Sequence, residues 1–439
     1  MHTIVVGGGL AGLVAAARAA EFGARVTLLE KGERVGGSFV LSSGFVWSYR
    51  DMATYRREAP RGDDVLQVLI LERLLPALDW LEHRGARVLS RETGNPLTFG
   101  ARLDPESAVR ALSEHVAASG GRIVVGTAME RLEVDGSGRV VGVVAVSGGE
   151  RRRLRADAVI LASGGFAASR DLVGRYIVRG PARMRVRAHP WSTGDGLLAA
   201  LDAGAATSVG MDEFYGRNLP APPAEFSPQR FVEVSQLYGR YAVALNARGE
   251  RFADEAADWS ETALAQATAR QPNLRAWYIL DAGGLRRRVR ERSVEQMVET
   301  AGRVGGPVLR AGSLEDLAGL LRRRGVDAGV ALATLAEYNS AVEAGRSGRL
   351  SPPRSDPAVP LQAPPFVAVE VAPAITHTIG GLAVDEGCRV LRRTGGTISG
   401  LYAAGVEVGG VSAGGYTSGL ASALVLGMVA AESALGDTG

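Results

Sequence analysis

Three glycines near the beginning of the chain, Gly7, Gly9 and Gly12, have the spacing GxGxxG, and an acidic residue, Glu30, follows further along. At this spacing Gly7 permits a tight turn, Gly9 lets the backbone approach a pyrophosphate, and Gly12 lets a helix pack closely on a strand. A carboxylate at Glu30 is placed to accept hydrogen bonds from ribose hydroxyls and to repel a 2′-phosphate. These residue types and their spacing predict a dinucleotide site.

The elements around the glycines are those that such a site needs. Residues 3–6 form a β-branched run that predicts a buried parallel strand, and the alanine-rich stretch after it predicts a helix that ends near position 22. A second apolar run, 25–29, leads directly to Glu30 and predicts the next strand. The helix N-terminus offers unpaired N–H groups and the positive end of its dipole to phosphates. This order predicts an α/β fold of the Rossmann type.

The segment after Glu30 resembles a known family. Residues 31–38 read KGERVGGS, so that the acid is followed by a short spacer and a paired glycine with a small polar residue. This pattern resembles the FAD-binding fumarate reductase/succinate dehydrogenase flavoprotein superfamily. The resemblance implies a Rossmann-like FAD-binding domain of the glutathione-reductase type. It also implies that Ser38 and the turn at 42–44 lie by the pyrophosphate and the isoalloxazine.

Further segments match the family in order along the chain. They are 127–129, where the family contacts adenine, the returning strand at 158–166, the TGDG turn at 193–196, the GLYAAG strand at 400–405, and a final helix from Ser418 to about position 435. The resemblance implies that FAD contacts Gly7, Gly9, Leu10, Ala11, Gly12, Glu30, Lys31, Gly37, Ser38, Ser42, Ser43, Gly44, Ala128, Ala162, Ser163, Gly164, Asp195, Gly405, Glu407, Ser418, Gly419 and Leu420.

Two positions depart from the family pattern. The usual acid directly after GLYAAG is Val406 here, and Glu407 stands one place later, so we expect Glu407 to make the ribityl or ribose contact. No histidine occurs between Ser38 and Trp47, where some members tether the cofactor. The resemblance therefore implies non-covalent FAD.

The chain is expected to contain two domains, because 439 residues exceed what one simple core accommodates. Residues 1–210 and 367–439 are predicted to form the FAD-binding domain, and 211–366 an inserted α+β cap domain that contacts the substrate. The segment 246–255 resembles the N-x-x-G-x-R-F-x-x-E element that opens the family's cap domain, and helices are expected around 314–324 and 330–345.

Two residues are candidates for the chemistry at the flavin. Such a flavin exchanges a hydride with one carbon while a proton moves at the neighbouring carbon, so the protein must supply a proton donor or acceptor and groups that stabilise an enolate. His377, in THTIGG at 376–381, resembles the family's histidine that holds a substrate carboxylate. Tyr416 stands where fumarate reductases carry a carboxylate-binding arginine, and tyrosine there is similar to 3-ketosteroid dehydrogenases. The plainer alternatives are a structural histidine and a tyrosine packed on the flavin.

Aromatic residues occupy positions that bear on the substrate. The proton-donor arginine of fumarate reductases aligns with Trp259, which argues against simple fumarate reduction. Together with Phe45 and Trp47, this residue favours a substrate of apolar or ring character, although each aromatic could equally belong to a core.

A second substrate class is suggested by residues 210–217, which contain Tyr215 and Arg217, and these two residues and Trp259 are further candidates for the catalytic site. This stretch resembles tricarballylate-dehydrogenase-like members, and in that interpretation Arg217 or Arg240 could grip a carboxylate. Ring ketone and carboxylic acid both remain open as substrates.

The leading interpretation is an FAD-dependent oxidoreductase that acts on a C–C bond next to a carbonyl or carboxylate, as a dehydrogenase or an ene-reductase. One alternative is an amine oxidase similar to L-aspartate oxidase, although that enzyme generally keeps arginines for two carboxylates and Tyr416 counts against it. Another is a non-catalytic flavin-binding subunit with a decayed pocket, which Trp259 and Tyr416 would permit.

Composition excludes several classes. The net charge is +3, and the arginine runs at 151–153, 286–288 and 322–324 alternate with acids, so nucleic acid is not indicated as a partner. Cys388, the single cysteine, cannot form an intrachain disulfide or hold an iron–sulfur cluster, and a reducing cytoplasm fits best. No metal site is expected, and no apolar run approaches the roughly 20 residues of a membrane span. Electrons must pass through substrate, oxygen, a quinone or another protein.

Overall fold

The computed structural model describes residues 1–180 and 184–437 and divides into two compact units. The first unit overlaps most of the expected FAD-binding domain and the second most of the expected cap domain, but the second unit also includes Val178–Arg187 and extends to Thr376 rather than to position 366. The first unit comprises Met1–Ile177, Ala188–Phe214 and His377–Gly439. The second unit comprises Val178–Arg187 and Tyr215–Thr376.

Strands and helices alternate through both units. The strands are His2–Val6 (β1), Arg25–Leu29 (β2), Phe45–Tyr49 (β3), Val88–Ser90 (β4), Thr98–Leu103 (β5), Arg122–Val124 (β6), Thr127–Val134 (β7), Val140–Ser147 (β8), Glu150–Arg155 (β9), Ala158–Leu161 (β10), Arg185–Val186 (β11), Phe214–Pro220 (β12), Val243–Leu245 (β13), Ala276–Leu280 (β14), Arg288–Val289 (β15), Arg292–Ser293 (β16), Val308–Ala311 (β17), Phe366–Thr378 (β18), Arg389–Leu391 (β19) and Thr397–Ala403 (β20). The helices are Leu10–Glu21 (α1), Met52–Glu58 (α2), Asp64–His83 (α3), Pro105–Ala118 (α4), Arg170–Tyr176 (α5), Asp195–Asp202 (α6), Phe231–Val234 (α7), Thr262–Ala269 (α8), Ala282–Leu285 (α9), Val294–Arg303 (α10), Leu314–Arg322 (α11), Ala328–Glu343 (α12) and Gly419–Gly436 (α13).

The main sheet of the first unit has the strand order β19–β20–β10–β1–β2–β6, and its strands run parallel except at the β19 edge. Strand β10 is buried along its whole length, as is β1 apart from its first residue. Parallel strands are typically covered on both faces, and such strands read as continuous apolar runs. The predicted order of strand, glycine turn, helix and strand at the beginning of the chain is confirmed by β1, α1 and β2.

The last helix, α13, packs against α1 and α3 in the core of the first unit. By length and composition alone, Gly419–Gly436 is apolar enough to cross a membrane, so the expectation that no run would reach that size was wrong. Of this helix, 67% is buried inside the protein, and the buried core helices of soluble proteins commonly have the same length and apolar composition. Close packing on α1 depends on the absence of a side chain at Gly427, because a Cβ there would lie only 2.6 Å from the Ala11 carbonyl oxygen.

Two smaller antiparallel sheets complete the first unit. One has the order β3–β5–β4 and the other β7–β8–β9. The hairpin expected over 130–146 is β7 and β8, and the Asp135 carboxylate fixes its turn by accepting from the backbone N–H groups of Ser137 and Arg139 at 2.9 and 3.1 Å.

The second unit is built on a sheet with the order β11–β18–β14–β13, on which β12 and β17 also pair with β18. One buried apolar cluster includes Tyr238, Tyr278 and Val369, and another includes Trp277, Leu335 and Ala368. Neighbouring residues of β14 and β18 belong to different clusters, because side chains alternate between the two faces of a strand. The sheet of this unit is therefore apolar on both faces.

A buried ion cluster fixes the segment that opens the predicted cap domain. The Glu255 carboxylate accepts from Arg251 at 2.7 and 3.0 Å and from Arg354 at 3.3 Å, and its side chain is fully buried. It also accepts from the backbone N–H of Ala244 at 3.0 Å. The arginine and glutamate of the N-x-x-G-x-R-F-x-x-E segment are thus partners, and Arg354 joins them from the loop before β18.

Candidate functional site

The turn between β1 and α1 depends on glycines, because side chains at two of its positions would clash with neighbouring backbone atoms. A Cβ at Gly7, whose φ is +106°, would lie 2.4 Å from the Ala162 carbonyl oxygen, and a Cβ at Gly12 would lie 1.8 Å from the Gly7 carbonyl oxygen. At Gly9, by contrast, no heavy atom of the described residues other than Gly9 and its chain neighbours lies within 4 Å of the Cβ position. Two glycines therefore permit close packing, and the third leaves open space beside the N-terminus of α1.

Glu30 follows β2 and is only 7% exposed. Its carboxylate accepts from the backbone N–H of Gly8 at 2.7 Å and from that of Gly32 at 2.6 Å. Each carboxylate oxygen has a further lone pair, so both can still accept from a hydroxyl. The Glu30 carbonyl accepts from the N–H of Thr127, which precedes the predicted adenine contact Ala128 on β7.

Lys31 joins two predicted cofactor segments. Its ammonium donates to the Thr193 hydroxyl and to the Asp195 carboxylate, both at 2.8 Å. The side chains of Lys31 and Asp195 are 28% and 30% exposed, so the pair is partly shielded from solvent. The TGDG turn is therefore attached to the end of β2.

The predicted contacts that follow Lys31 lie on short, tightly bonded turns. Gly37 and Ser38 begin a 3₁₀ turn over Gly37–Leu41, and the Ser38 hydroxyl accepts from the His189 N–H at 2.9 Å. Ser42 Oγ donates to the Phe39 carbonyl at 2.7 Å and accepts from the Gly44 N–H at 3.0 Å. The Ser43 carbonyl accepts from Arg102. The predicted contacts Gly37, Ser38, Ser42, Ser43 and Gly44 therefore lie within one short segment of the chain.

A buried acid lies at the carboxyl ends of β10 and β20. Glu407 Oε2 accepts from the Ser163 hydroxyl at 2.5 Å, and that hydroxyl accepts from the Gly196 N–H at 3.2 Å. Burial raises the pKa of Glu407, and the Ser163 hydrogen bond opposes this shift. Glu407 Oε1 is buried without a hydrogen-bond partner among the described residues. Neighbouring Gly405, a predicted contact, would place a Cβ 2.7 Å from that of Ala11.

These features fit FAD. An open glycine turn at a helix N-terminus suits a pyrophosphate, and the Glu30 carboxylate suits ribose hydroxyls. Buried polar atoms are nearly always hydrogen-bonded. Glu407 Oε1 has no donor among the described residues, and a hydroxyl of the ribityl chain would provide one. The Ala162–Gly164 segment lies beside the same turn at Gly7.

The N-terminus of α13 brings a second group of predicted residues together. Ser418 caps this helix, since its hydroxyl accepts from the Ala421 N–H at 3.3 Å. A Cβ at Gly419 would lie 2.9 Å from His377 Nε2, so the imidazole lies directly against the first turn, which also carries Leu420. His377 Nδ1 contacts the Thr378 carbonyl at 3.1 Å. If this nitrogen carries the proton, Nε2 is an acceptor facing the helix.

Tyr416 precedes that helix and is half-buried. Its backbone carbonyl accepts from the Tyr49 hydroxyl at 2.8 Å. Its ring meets Trp47 edge to face with the centroids 5.5 Å apart, and Trp47 meets Tyr49 in the same way at 5.3 Å. Such aromatic pairs favour a fixed geometry. Strand β3 therefore orients both the backbone and the ring of Tyr416.

A buried acid not anticipated as a site residue holds the loop before Tyr416. Glu213 is 4% exposed, accepts from the Gly414 N–H at 2.8 Å and forms an ion pair with Arg61. Sequence reasoning grouped Glu213 with a substrate-binding stretch, but its contact with Gly414 depends on residues far apart in the chain. It is a positioning residue for the loop that ends at Tyr416.

The other three candidate catalytic residues lie in the second unit. Arg217, on β12, is 6% exposed, and its guanidinium lies 5.2 Å from the centre of the Tyr215 ring. Trp259 is half-buried in a loop that Asp258 fixes by accepting from the Ser260 hydroxyl and the Ala263 N–H at 3.1 and 2.7 Å. Tyr416 and His377 thus belong to one unit, and Tyr215, Arg217 and Trp259 to the other.

Glu261 is a buried acid of the second unit that the sequence did not single out. It is 5% exposed, precedes α8 with φ +59°, and neither carboxyl oxygen has a hydrogen bond among the described residues. Burial raises its pKa to about 7, and the Asp258 charge acts in the same direction. The Arg217 charge opposes the shift. The carboxyl is therefore neutral over part of the physiological pH range.

We expect Glu261→Gln to remove a pH-dependent loss of stability. Because the pKa of Glu261 rises on folding from 4.5 to about 7, the free energy of unfolding falls as the pH increases above about 4.5 and levels off above about 7. The full effect is on the order of 3 kcal/mol. Thermal unfolding of parent and variant at pH 5 and pH 8 should show similar midpoints at pH 5 and a more stable variant at pH 8. Glu315→Gln, at an exposed position, is the control. Equal pH dependence in parent and Glu261→Gln would contradict the assignment.

Comparison with known proteins identifies the family and the fold. The family described as "FAD binding domain" matches residues 2–422. A probable fumarate reductase of Shewanella frigidimarina is 26% identical, over 99% of this chain and 74% of the relative. A 4-oxocyclohexanecarboxylate 2-dehydrogenase of Sinomonas cyclohexanicum is 25% identical, over 92% and 86%. The fold is similar to a 3-ketosteroid Δ1-dehydrogenase from Sterolibacterium denitrificans, with a TM-score of 0.78 at 20% identity, over 99% of both chains.

Proposed function

The chain belongs to the FAD binding domain family, and from that premise we propose that it oxidises or reduces a C–C bond next to the carbonyl group of a ring compound. We further propose that the FAD is held without a covalent bond, because no histidine stands between Ser38 and Trp47. Electrons would be exchanged with a second small molecule, such as oxygen or a quinone, or with another protein.

The observation that carries this proposal is the fixed position of the Tyr416 phenol at the beginning of α13. Its backbone is held by the Tyr49 hydroxyl at 2.8 Å, and its ring by Trp47. A phenol donates a hydrogen bond to a carbonyl oxygen without any change in its ordinary pKa of about 10. Such a bond strengthens as negative charge develops on that oxygen.

Two further groups of the first unit support the same chemistry. The N-terminus of α13 carries the positive end of the helix dipole, which favours negative charge nearby. His377 lies against its first turn and can accept or donate a proton at Nε2. FAD, when bound, supplies or accepts the hydride. Tyr416 and His377 would bind the carbonyl group of the substrate and hold the proton that moves when the hydride is transferred.

The proposed substrate class is supported by the second unit and by the relatives. Arg217 is a buried cation stacked on Tyr215, a setting that suits a carboxylate. Among the relatives, a fumarate reductase is named for a dicarboxylate, and a 4-oxocyclohexanecarboxylate 2-dehydrogenase for a cyclic ketone with a carboxylate. We infer that a cyclic ketone bearing a carboxylate is the best first substrate to test, since the Tyr416 phenol suits a carbonyl group and one of the relatives is named for such a compound.

Anaerobic titration tests the proposed function. Oxidised holoenzyme is mixed with 4-oxocyclohexanecarboxylate, succinate or a saturated 3-ketosteroid, and dithionite-reduced holoenzyme with the corresponding unsaturated compounds. We expect the cyclic ketones to bleach the flavin absorption of the oxidised enzyme, or their enones to restore it in the reduced enzyme. Succinate and fumarate should react far more slowly, because Trp259 stands where fumarate reductases carry their proton donor. An unchanged flavin spectrum with every compound in both directions would refute the proposal.

A further inference from the structure

Residues 189–195, here called the strap, cross the carboxyl end of the main sheet. The strap begins where the His189 N–H donates to Ser38 Oγ at 2.9 Å and ends where Lys31 donates to Asp195 at 2.8 Å. Between these points the Ser192 side chain lies 3.2 Å from the Cβ position of Gly164, which follows β10. The strap therefore connects the segments that follow β2 and β10.

At the centre of the strap stands Trp191, which is 45% exposed. Its indole lies against Gly32, where a Cβ would come within 2.9 Å of Trp191 Cδ1 and within 3.1 Å of both Nε1 and a Glu30 carboxylate oxygen. The Lys31 ammonium lies 5.4 Å from the centre of the ring. The indole is thus immediately beside the acid that fits the ribose of a dinucleotide.

Trp191 is held in this position by the backbone around it. The Ser192 N–H donates to the His189 carbonyl at 3.2 Å, and the Thr193 N–H donates to the Trp191 carbonyl at 2.9 Å. The Ser192 carbonyl accepts from the Ala168 N–H at 2.9 Å, and Ser192 itself is buried. A large aromatic side chain that is half-exposed on so constrained a turn presents a preformed apolar surface.

The surrounding groups match an adenosine. Glu30 can accept from ribose hydroxyls, and the Lys31 ammonium already has an anionic partner in Asp195, so its charge does not require a phosphate. Burial lowers the pKa of His189, and the Glu30 charge opposes this shift, so the imidazole is mainly neutral at pH 7. An exposed indole beside a hydroxyl-binding acid offers stacking to a purine base.

We propose that Trp191 forms the outer wall of the adenosine site and binds the adenine of FAD. This role concerns the cofactor alone and is independent of the substrate and of the residues proposed for catalysis. The adenine would cover indole surface that is exposed in the protein by itself, and stacking on an aromatic side chain would slow the release of the cofactor. Trp191 is not one of the residues that the family resemblance implied as cofactor contacts.

The proposal is tested on apoprotein prepared from the holoenzyme by removing the FAD, with affinity measured by titration. Loss of one aromatic–base stacking contact should raise the Kd for FAD about tenfold in Trp191→Ala. Trp191→Phe should stay close to the parent. Trp80→Ala is the matched control, because Trp80 is a tryptophan of α3 that packs on Arg84, and it should leave the Kd unchanged.

A second readout separates direct contact from an effect on folding. In an FAD analogue that carries fluorescent etheno-adenine, stacking on the indole quenches the base, so bound analogue should emit more strongly in Trp191→Ala than in the parent. Trp191→Leu, which retains apolar volume, should behave as Trp191→Ala. An unchanged Kd for FAD would overturn the proposal. So would a raised Kd with unchanged emission, because Trp191 would then act only through the strap.

Discussion

Replacing Tyr416 by phenylalanine is expected to lower kcat by roughly 10²- to 10⁴-fold, the usual contribution of a positioned proton donor or acceptor. The phenol is the group proposed to hydrogen-bond the substrate carbonyl, and phenylalanine lacks it. FAD should remain bound, because the hydrogen bond from Tyr49 is to the backbone carbonyl of residue 416 and the ring contact with Trp47 persists.

The matched control is Tyr49→Phe. This variant removes the hydrogen bond to the Tyr416 backbone and leaves the Tyr416 phenol in place, so it should lower kcat by much less than Tyr416→Phe. The measurement is steady-state turnover with the cyclic ketone that reacts in the anaerobic titration, together with the flavin content of each purified variant. Full activity in Tyr416→Phe would remove this residue from the chemistry. Loss of FAD would indicate a structural role instead.

Replacing Glu255 by alanine is expected to destabilise the second unit by about 3–5 kcal/mol. The carboxylate is fully buried between Arg251 and Arg354, and Arg354 is itself among the largest fully buried side chains. Removing the acid takes the paired carboxylate away from two buried guanidinium groups and also frees the Ala244 N–H. The cost therefore comes from the charges left behind as much as from the lost attraction.

The thermal unfolding of the holoenzyme checks this expectation. For a unit of this size, a loss of 3–5 kcal/mol should lower the midpoint by about 10 °C. Glu250→Ala is the control, because Glu250 is 46% exposed in its side chain and pairs with Arg248 at the surface. Such exposed pairs contribute about 0–1 kcal/mol. A midpoint in Glu255→Ala within 2 °C of the parent, roughly the effect of 1 kcal/mol or less, would show that the cluster adds little to stability.

The dinucleotide half of the fold could be predicted in detail because its signals are local. The strand expected over 25–29 is β2, and the expected helix over the alanine-rich stretch is α1, which ends at Glu21. Likewise, the expected helices near 314–324 and 330–345 are α11 and α12, and the final helix begins one residue after Ser418. Hydrophobic periodicity, capping residues and glycine turns act over a few residues, so the chain displays them directly.

The apolar α13 shows where local signals were insufficient. Length and composition alone cannot tell a buried core helix from a membrane span. What separates the two is the contact of α13 with α1 and α3, and these helices lie hundreds of positions earlier in the chain. Their proximity results from packing around the sheet, which no sequence window reports.

By itself, the sequence determined a dinucleotide site and the α/β frame, because the glycine turn, the acid after β2 and the alternating strands and helices are set by neighbouring residues. The tertiary structure alone decided the partners: Glu407 with Ser163, Glu213 with Gly414, and Glu255 with Arg354. It also placed Trp191 against Gly32. The physical reason is that burial and charge pairing depend on which distant segments pack together, and that is a property of the folded chain rather than of any local pattern.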